Sequence, residues 1–184
     1  MKKDIDSNGY IFLYSTVLVV IVAVLLTAAT LWLQPFQERN KDNEKRMMIL
    51  SAAGATDNGS ITFFEGELPL YLVNDSVTVI PMQGNGLWGP IWGYLAIAPD
   101  GKTIIGANFD HKSETPGLGG EITTENFQGQ FSGKTLMSNG CLVPIEVDAI
   151  TGATKTSNGV KEMIDKTMQI YLPYFERFTE TDAK

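Results

Sequence analysis

The longest apolar run lies near the amino terminus. From Tyr10 to Leu33 the chain reads YIFLYSTVLVVIVAVLLTAATLWL, without one charged side chain. A helix over this run is about 36 Å long at roughly 1.5 Å per residue. The hydrocarbon core of a bilayer is about 30 Å thick, so the helix can span it with some tilt. Tyr10, Tyr14 and Trp32 stand near its ends, where amphipathic rings suit the lipid–water interface. Pro35 is expected to stop the helix. Ala28 and Ala29 offer the small residues of a cleavage site, but the apolar core before them is already too long for a signal peptide. The run is therefore read as a retained anchor.

After the run the pattern changes. Residues 34–60 are polar and mixed in charge; their first half favours helix and AGATDNGS favours a loop. LPLYLV (68–73) and SVTVIPM (76–82) read as strands around a turn at Asn74-Asp75. GYLAIA and KTIIGANF read as a hairpin around Pro99-Asp100-Gly101, with Pro presetting φ and Gly supplying a positive one. CLVPIEVDAI (141–150) predicts a further strand. A terminal helix follows, capped by Ser157, with Val160, Met163, Ile164, Thr167, Tyr171 and Tyr174 on one face and an end or kink at Pro173. These elements predict an α+β domain on a membrane stalk. The expected division is a head at 1–9, a transmembrane helix at 10–33, a linker at 34–60 and a domain at 61–184.

Charge and composition narrow the function. The formal net charge is −7, and of 21 Asp and Glu only Asp4, Asp6, Glu38, Asp42 and Glu44 precede Met47. The acidic domain has no basic stripe for nucleic acid. Cys141 and His111 are the only cysteine and the only histidine. They leave no cysteine cluster for an iron–sulfur centre and no ligand set for a protein-built metal site. Lys2 and Lys3 precede the anchor, while Arg39, Lys41, Lys45 and Arg46 follow it. That count pulls weakly toward a cytoplasmic domain, although large domains translocate against such a bias.

Three segments are too rich in glycine and special residues for ordinary scaffold. In Asp148-Ala-Ile-Thr-Gly-Ala-Thr154-Lys-Thr-Ser157 a strand gives way to small residues and then to a helix, whose free N–H groups favour a bound phosphate. A plain capped turn is the alternative. In His111-Lys-Ser-Glu-Thr-Pro-Gly-Leu-Gly-Gly120 a rigid turn leads into unshielded backbone that can offer N–H groups to a planar ligand; a surface loop is the alternative. In Gly84-Asn-Gly-Leu-Trp-Gly-Pro-Ile-Trp-Gly-Tyr94 two tryptophans on a glycine-rich stretch can wall an aromatic ligand, or, for Trp92 especially, fill a satellite core.

In their chain order behind one membrane anchor (84–94, 111–120, 148–157), the three segments resemble the FMN-binding domain of the C subunit of the Na+-translocating NADH:quinone reductase. The family's attachment pattern is Asp, two residues, Ser or Thr-Gly-Ala-Thr and a further Ser or Thr. It stands here as Asp148, Thr151-Gly152-Ala153-Thr154 and Thr156. GLWGPIWGYLAI and HKSETPGLGGEI are also close to that family's segments. The Rnf-type G subunit shares the attachment pattern and the Glu-Thr-Pro-Gly-Leu-Gly run but lacks the Leu-Trp-Gly-Pro-Ile-Trp stretch. The resemblance covers the anchor and most of residues 76–175. The chain departs from the family in shorter stretches before the first strand and between Phe131 and Asp148, and in Thr151 for the commoner Ser.

The resemblance implies a twisted, mostly antiparallel sheet with flanking helices on a single N-terminal transmembrane helix. It implies FMN joined through its phosphate to Thr154 by a separate Mg2+-dependent flavin transferase. A threonine hydroxyl needs a base, and no histidine stands near Thr154 in sequence, so an external enzyme agrees with the residues. Asp148, Thr151, Gly152, Ala153 and Thr156 are expected around the attachment. Glu114, Thr115, Pro116, Gly117, Leu118 and Gly119, with Leu87 and Trp88, are expected along the isoalloxazine ring. No catalytic residue and no metal ligand is assigned. The implied role is electron relay from NADH toward quinone, coupled to Na+ export, within a multi-subunit complex of the bacterial inner membrane. The chain would have no turnover of its own, and the domain would face the periplasm. Two alternatives are a G-type subunit of an Rnf ferredoxin:NAD oxidoreductase and a stand-alone membrane-tethered extracytoplasmic flavoprotein. A non-redox binding module is a third, against which the intact Thr154 motif argues.

Overall fold

The computed structural model describes residues 8–56, 58–138 and 141–181, with side-chain surroundings except at 8, 138 and 176–181. The head at 1–9 therefore falls mostly outside the described residues. The chain divides into two compact units, Met1–Glu44 and Lys45–Lys184.

The first unit is a single helix, the amino-terminal part of α1 (Asn8–Ala52). Its most apolar stretch has a mean hydropathy of 2.7 with none of it buried, so the helix is long and apolar enough to cross a membrane. The hydroxyls of Ser15, Thr16, Thr27 and Thr30 each donate to a carbonyl four residues back, at 2.8–2.9 Å. Such bonds satisfy polar groups that lipid cannot. Pro35 does not end the helix as expected: α1 continues through it to Ala52. Proline removes one backbone hydrogen bond, but Glu, Lys, Arg and Met follow and favour helix, and Gln34 donates to Glu38 across the site at 2.9 Å.

The second unit begins inside the same helix. Its sheet is an antiparallel meander in the order β1 (Ile61–Phe64), β2 (Leu70–Val73), β3 (Val77–Asn85), β4 (Pro90–Ile97), β5 (Ile104–His111). Strand β1 had no counterpart in the sequence pattern. Asn74 and Asp75 both take positive φ (50° and 54°), and Ser76 N–H closes the turn on Val73 O at 3.2 Å. Two left-handed central residues give the turn the twist that a hairpin needs. At the Pro99-Asp100-Gly101 hairpin, Gly101 has φ +66°, and Asp100 Oδ1 accepts from the N–H groups of Lys102 and Thr103.

Alternation along the strands sorts the core onto two faces. Ile80, Met82, Leu95, Ile97 and Phe109 face the terminal helix α3 (Thr154–Thr181) and the short helices around α2 (Glu125–Gln128). Val79, Tyr94 and Ala96 face the last turns of α1, where Ile49 and Leu50 are 2% exposed. The face expected on α3 is largely present: Val160, Met163, Ile164 and Tyr171 are buried, and Thr167 and Tyr174 half-buried.

Three further expectations are corrected. The strand expected over 141–150 is only β7 (Cys141–Leu142), paired with β6 (Met137–Ser138). Pro144 supplies no N–H for a ladder, and the segment is instead fastened by Gln130, whose Oε1 accepts from Asp148 N–H at 2.7 Å. Helix α3 starts at Thr154, which places Ser157 inside the first turn rather than at the cap. Its buried Oγ accepts from Ile150 N–H and donates to Ala153 O, each at 3.1 Å, so it closes the preceding loop from within. Pro173 does not end the helix: α3 runs on to Thr181, and Phe175 in the turn after it is 2% exposed in the core.

Candidate flavin-binding surface

The meander brings two of the glycine-rich segments together. The β3–β4 turn closes with Gly86 N–H on Gly89 O at 2.8 Å. Strand β5 runs back beside β4 with His111 opposite Ile91, so the loop that follows starts at this turn. Lys112 N–H donates to Pro90 O at 3.1 Å. Helix α3 delivers the third segment by packing closely on β3. A Cβ on Gly84 would lie 2.8 Å from Met163 Cβ, and one on Gly159 would strike Asn85 O.

One buried side chain links all three. Glu114 is 4% exposed. Its Oε1 accepts from Trp88 N–H at 2.8 Å and its Oε2 from the Thr156 hydroxyl at 2.6 Å. Burial pushes this carboxyl up, but the Thr156 hydroxyl and the N–H groups of Trp88, Gly89 and Leu87 outweigh it and hold it below its usual value. Glycines make room: a Cβ on Gly86 would sit 2.5 Å from Oε1, and one on Gly119 would strike Oε2. Glu114 N–H in turn donates to His111 Nδ1 at 3.2 Å, which leaves the neutral ring's proton on Nε2.

The 148–157 segment is closed on itself. Ala153 N–H donates to Ile150 O at 2.9 Å, and Gly152 takes φ +77°. A Cβ on Gly152 would meet Leu118 Cδ2 at 3.0 Å, so the motif lies against the Glu114–Gly119 loop. Thr151, Gly152, Thr154 and Lys155 are exposed, whereas Ala153, Thr156 and Ser157 are buried. Asp148 is exposed; its fixed contacts are made by its backbone, to Gln130. Leu118, Leu87 and Trp88 are 42%, 45% and 68% exposed, while Trp92 is half-buried. Thr115, Pro116 and Gly117 are exposed, and Thr115 O accepts from the N–H groups of Leu118 and Gly120, which are therefore committed within the loop.

The sequence-derived residues thus form two layers. Thr151, Gly152, Thr154, Leu118, Leu87 and Trp88 are outer; Glu114, Gly119, Ala153 and Thr156 are inner. Gln130 and Gly86 were missed. A glutamine twenty-four residues before Thr154 carries no local signal, and Gly86 is explained only by the carboxylate beneath it. An apolar cavity of about 590 Å3 lies elsewhere, at the end of the sheet with the β2–β3 and β4–β5 hairpins, lined by Phe64, Leu70, Pro99 and Phe175 among others.

Comparison with known proteins gives a consistent result. A family described as FMN-binding domain matches residues 86–169, a span that holds all three segments except Gly84 and Asn85. The C subunit of the Na(+)-translocating NADH-quinone reductase from Neisseria meningitidis serogroup B is 28% identical over 258 aligned positions that take in all of both chains. Opposite 184 residues, that alignment carries long gaps. The C subunit of the same enzyme from Pasteurella multocida is 39% identical over 108 residues, which are 50% of this chain and 42% of that one. The crystal structure of the C subunit from Parabacteroides distasonis superposes with a TM-score of 0.63 at 29% identity, covering 78% of this chain and 96% of that one. The Shewanella oneidensis protein gives 0.53 at 26% identity, over 72% and 74%. Residues 86–169 thus match the FMN-binding domain, and the chain is similar along its length to the C subunit of the Na(+)-translocating NADH-quinone reductase.

Proposed function

We propose that the chain is an electron-transfer subunit of a Na+-translocating NADH:quinone reductase and carries FMN covalently on Thr154. The observation that carries this reading is the selective exposure of hydroxyls in the motif. Thr156 and Ser157 are buried with their protons engaged, while Thr154 is exposed at the first residue of α3, beside the positive φ of Gly152. A helix start offers free N–H groups to a phosphate. Leu118, Leu87 and Trp88 offer exposed apolar surface for a flat ring.

The residues fit the cofactor. Gly152 and Thr154 would hold the phosphate end, with Asp148 and Thr151 beside the approach, and the Glu114–Gly119 loop with Leu87 and Trp88 would flank the ring. Bound FMN supplies reversible redox chemistry; the chain supplies orientation and a fixed address. For attachment, Thr154 Oγ gains a phosphorus–oxygen bond as the pyrophosphate bond of an activated donor, such as a flavin dinucleotide, breaks and a nucleoside monophosphate leaves. Its proton passes to a base on the flavin transferase, since the one histidine, His111, is distant from Thr154 in sequence.

The test is intact-mass and peptide mapping of the chain co-expressed with a flavin transferase. A single flavin phosphate on Thr154, lost in folded Thr154→Ala, is expected. A label on Thr151 or Thr156, or none, overturns the assignment. We further propose that residues 10–33 span the inner membrane uncleaved with the domain in the periplasm. Protease added to intact spheroplasts should then digest the domain; protection until lysis reverses the orientation, and a mature start near Leu31 revives cleavage.

A further inference from the structure

Glu114 opens the loop proposed to flank the ring, but its own carboxylate is buried and turned onto protein donors. Few carboxylates are buried without a partner, because removal from water disfavours the charge unless several donors replace it. Here the donors named by the geometry are neutral: the Thr156 hydroxyl on one oxygen and Trp88 N–H on the other, with the N–H groups of Leu87 and Gly89 nearby. They come from two different segments, and Glu114 belongs to the third. Gly86 and Gly119 press so closely that neither tolerates a Cβ without displacing the carboxylate. His111 Nδ1 accepts the Glu114 N–H and fixes the backbone from the end of β5.

The helical geometry then links this clamp to Thr154. Residues two apart on a helix are turned by about 200° around its axis. A first turn with Thr156 drawn inward, 1% exposed, must therefore turn Thr154 outward. Ser157 reinforces the same setting from the next position by bonding Ile150 N–H and Ala153 O.

We infer that Glu114 is a positioning residue for flavin attachment: its carboxylate joins the 86–89 turn, the 114–119 loop and the first turn of α3 into one frame, and by engaging the Thr156 hydroxyl it leaves Thr154 as the acceptor. This inference rests on the reading of Thr154 as the flavin acceptor. It assigns Thr156 and Glu114 away from direct ligand contact and makes them the determinants of which hydroxyl is modified.

The experiment uses the full chain co-expressed with a flavin transferase, with label sites mapped by peptide mass and folding followed by thermal melting of unloaded protein. In Glu114→Ala, occupancy of Thr154 per folded molecule should drop about tenfold or more, as loss of a charged hydrogen bond implies. Label should also appear on Thr156, where it is absent in the parent, and disappear again in Glu114→Ala/Thr156→Val. A merely structural role would lower the folded fraction without moving the label. Should Glu114→Ala fail to fold, Thr156→Val and Thr156→Ser decide. Valine should lower Thr154 occupancy severalfold and serine, which keeps the donor, should restore it. Parent-level labelling on Thr154 alone in folded Glu114→Ala, or in Thr156→Val, overturns the clamp and leaves the flavin reading intact. An unlabelled parent overturns both.

Discussion

Replacing Gly119 by alanine tests the inner layer without touching a charged or hydroxyl group. Gly119 does not occupy the left-handed region, so backbone conformation alone tolerates alanine there. The obstacle is space. The new Cβ would strike Glu114 Oε2, and would lie 2.7 Å from Thr156 Oγ1 and 3.2 Å from Glu114 Cβ. It would thus enter the 2.6 Å hydrogen bond itself. Overpacking costs about 1–3 kcal/mol. Loss of a hydrogen bond to a charged group adds about 1.5–3 kcal/mol. Alanine returns only about 0.4–1 kcal/mol by restricting the unfolded chain. The expected net loss is about 3 kcal/mol. Gly117 is the internal control, since it has φ +75° and open space where its Cβ would go. Gly117→Ala should lose only about 1–2 kcal/mol, the strain of a left-handed L-residue. Chemical denaturation of the detergent-solubilised chain, followed by tryptophan fluorescence, measures both. If Gly119→Ala loses no more than Gly117→Ala, the carboxylate does not occupy the space assigned to it.

Three other substitutions or conditions separate the layers. Asp148→Ala should leave stability within about 0.5 kcal/mol, because its side chain is exposed and its backbone makes the contacts to Gln130. Reduced flavin loading of that folded variant would then mark the carboxylate as a transferase contact, and full loading would remove it from the site. Trp88→Ala should shift the absorption spectrum or midpoint potential of the loaded chain while Thr154 stays modified; an unchanged spectrum and potential would put the ring elsewhere. On acidification, Glu114 and Asp100, both held below their usual 4.5 and 3.8, contribute stability that is complete above those values and is lost as pH falls through the lower folded ones. The melting temperature should therefore fall as pH drops below 4.5, and Glu114→Gln should flatten the Glu114 part of that fall while the Asp100 part remains.

The elements legible in the sequence were those whose signals are local. The apolar run, the Asn74-Asp75 and Pro-Asp-Gly turns, and the α3 face each follow from residue type at fixed spacing. The misreadings arose where tertiary contacts override a local rule. Pro35 and Pro173 look like stops, yet the helix runs on through each, with helix-forming neighbours after the first and buried Phe175 after the second. Residues 141–150 alternate like a strand but have almost no strand partner, and Gln130 supplies what a ladder would have supplied. Strand β1 was missed because ITFF is short and lies at the sheet edge, with Phe63 and Phe64 each 49% exposed. The glycine-rich segments could be recognised as special one by one. Their meeting at Glu114 could not, because it depends on the register of β4 against β5 and on the seating of α3 over β3.

An electron-carrying cofactor must be both reachable and immobile, and the two demands oppose each other. Reach requires exposed surface, which is where side chains and backbone are freest. On the proposed function, this chain would resolve the conflict by depth. Thr154, Leu118, Leu87 and Trp88 are exposed, but each neighbours, within a residue or two, a group that is fixed from below. Thr154 is followed by Thr156 on Glu114 and by Ser157 on Ile150 and Ala153. Trp88 is held at its own N–H, and Leu118 lies between the turn closed on Thr115 O and the close approach at Gly119. Beneath these stand fully buried Ile91, Ile122 and Val160, so the frame is continuous with the core rather than laid on it. On that reading, an open surface on a rigid base suits a bound redox group that meets partners by docking.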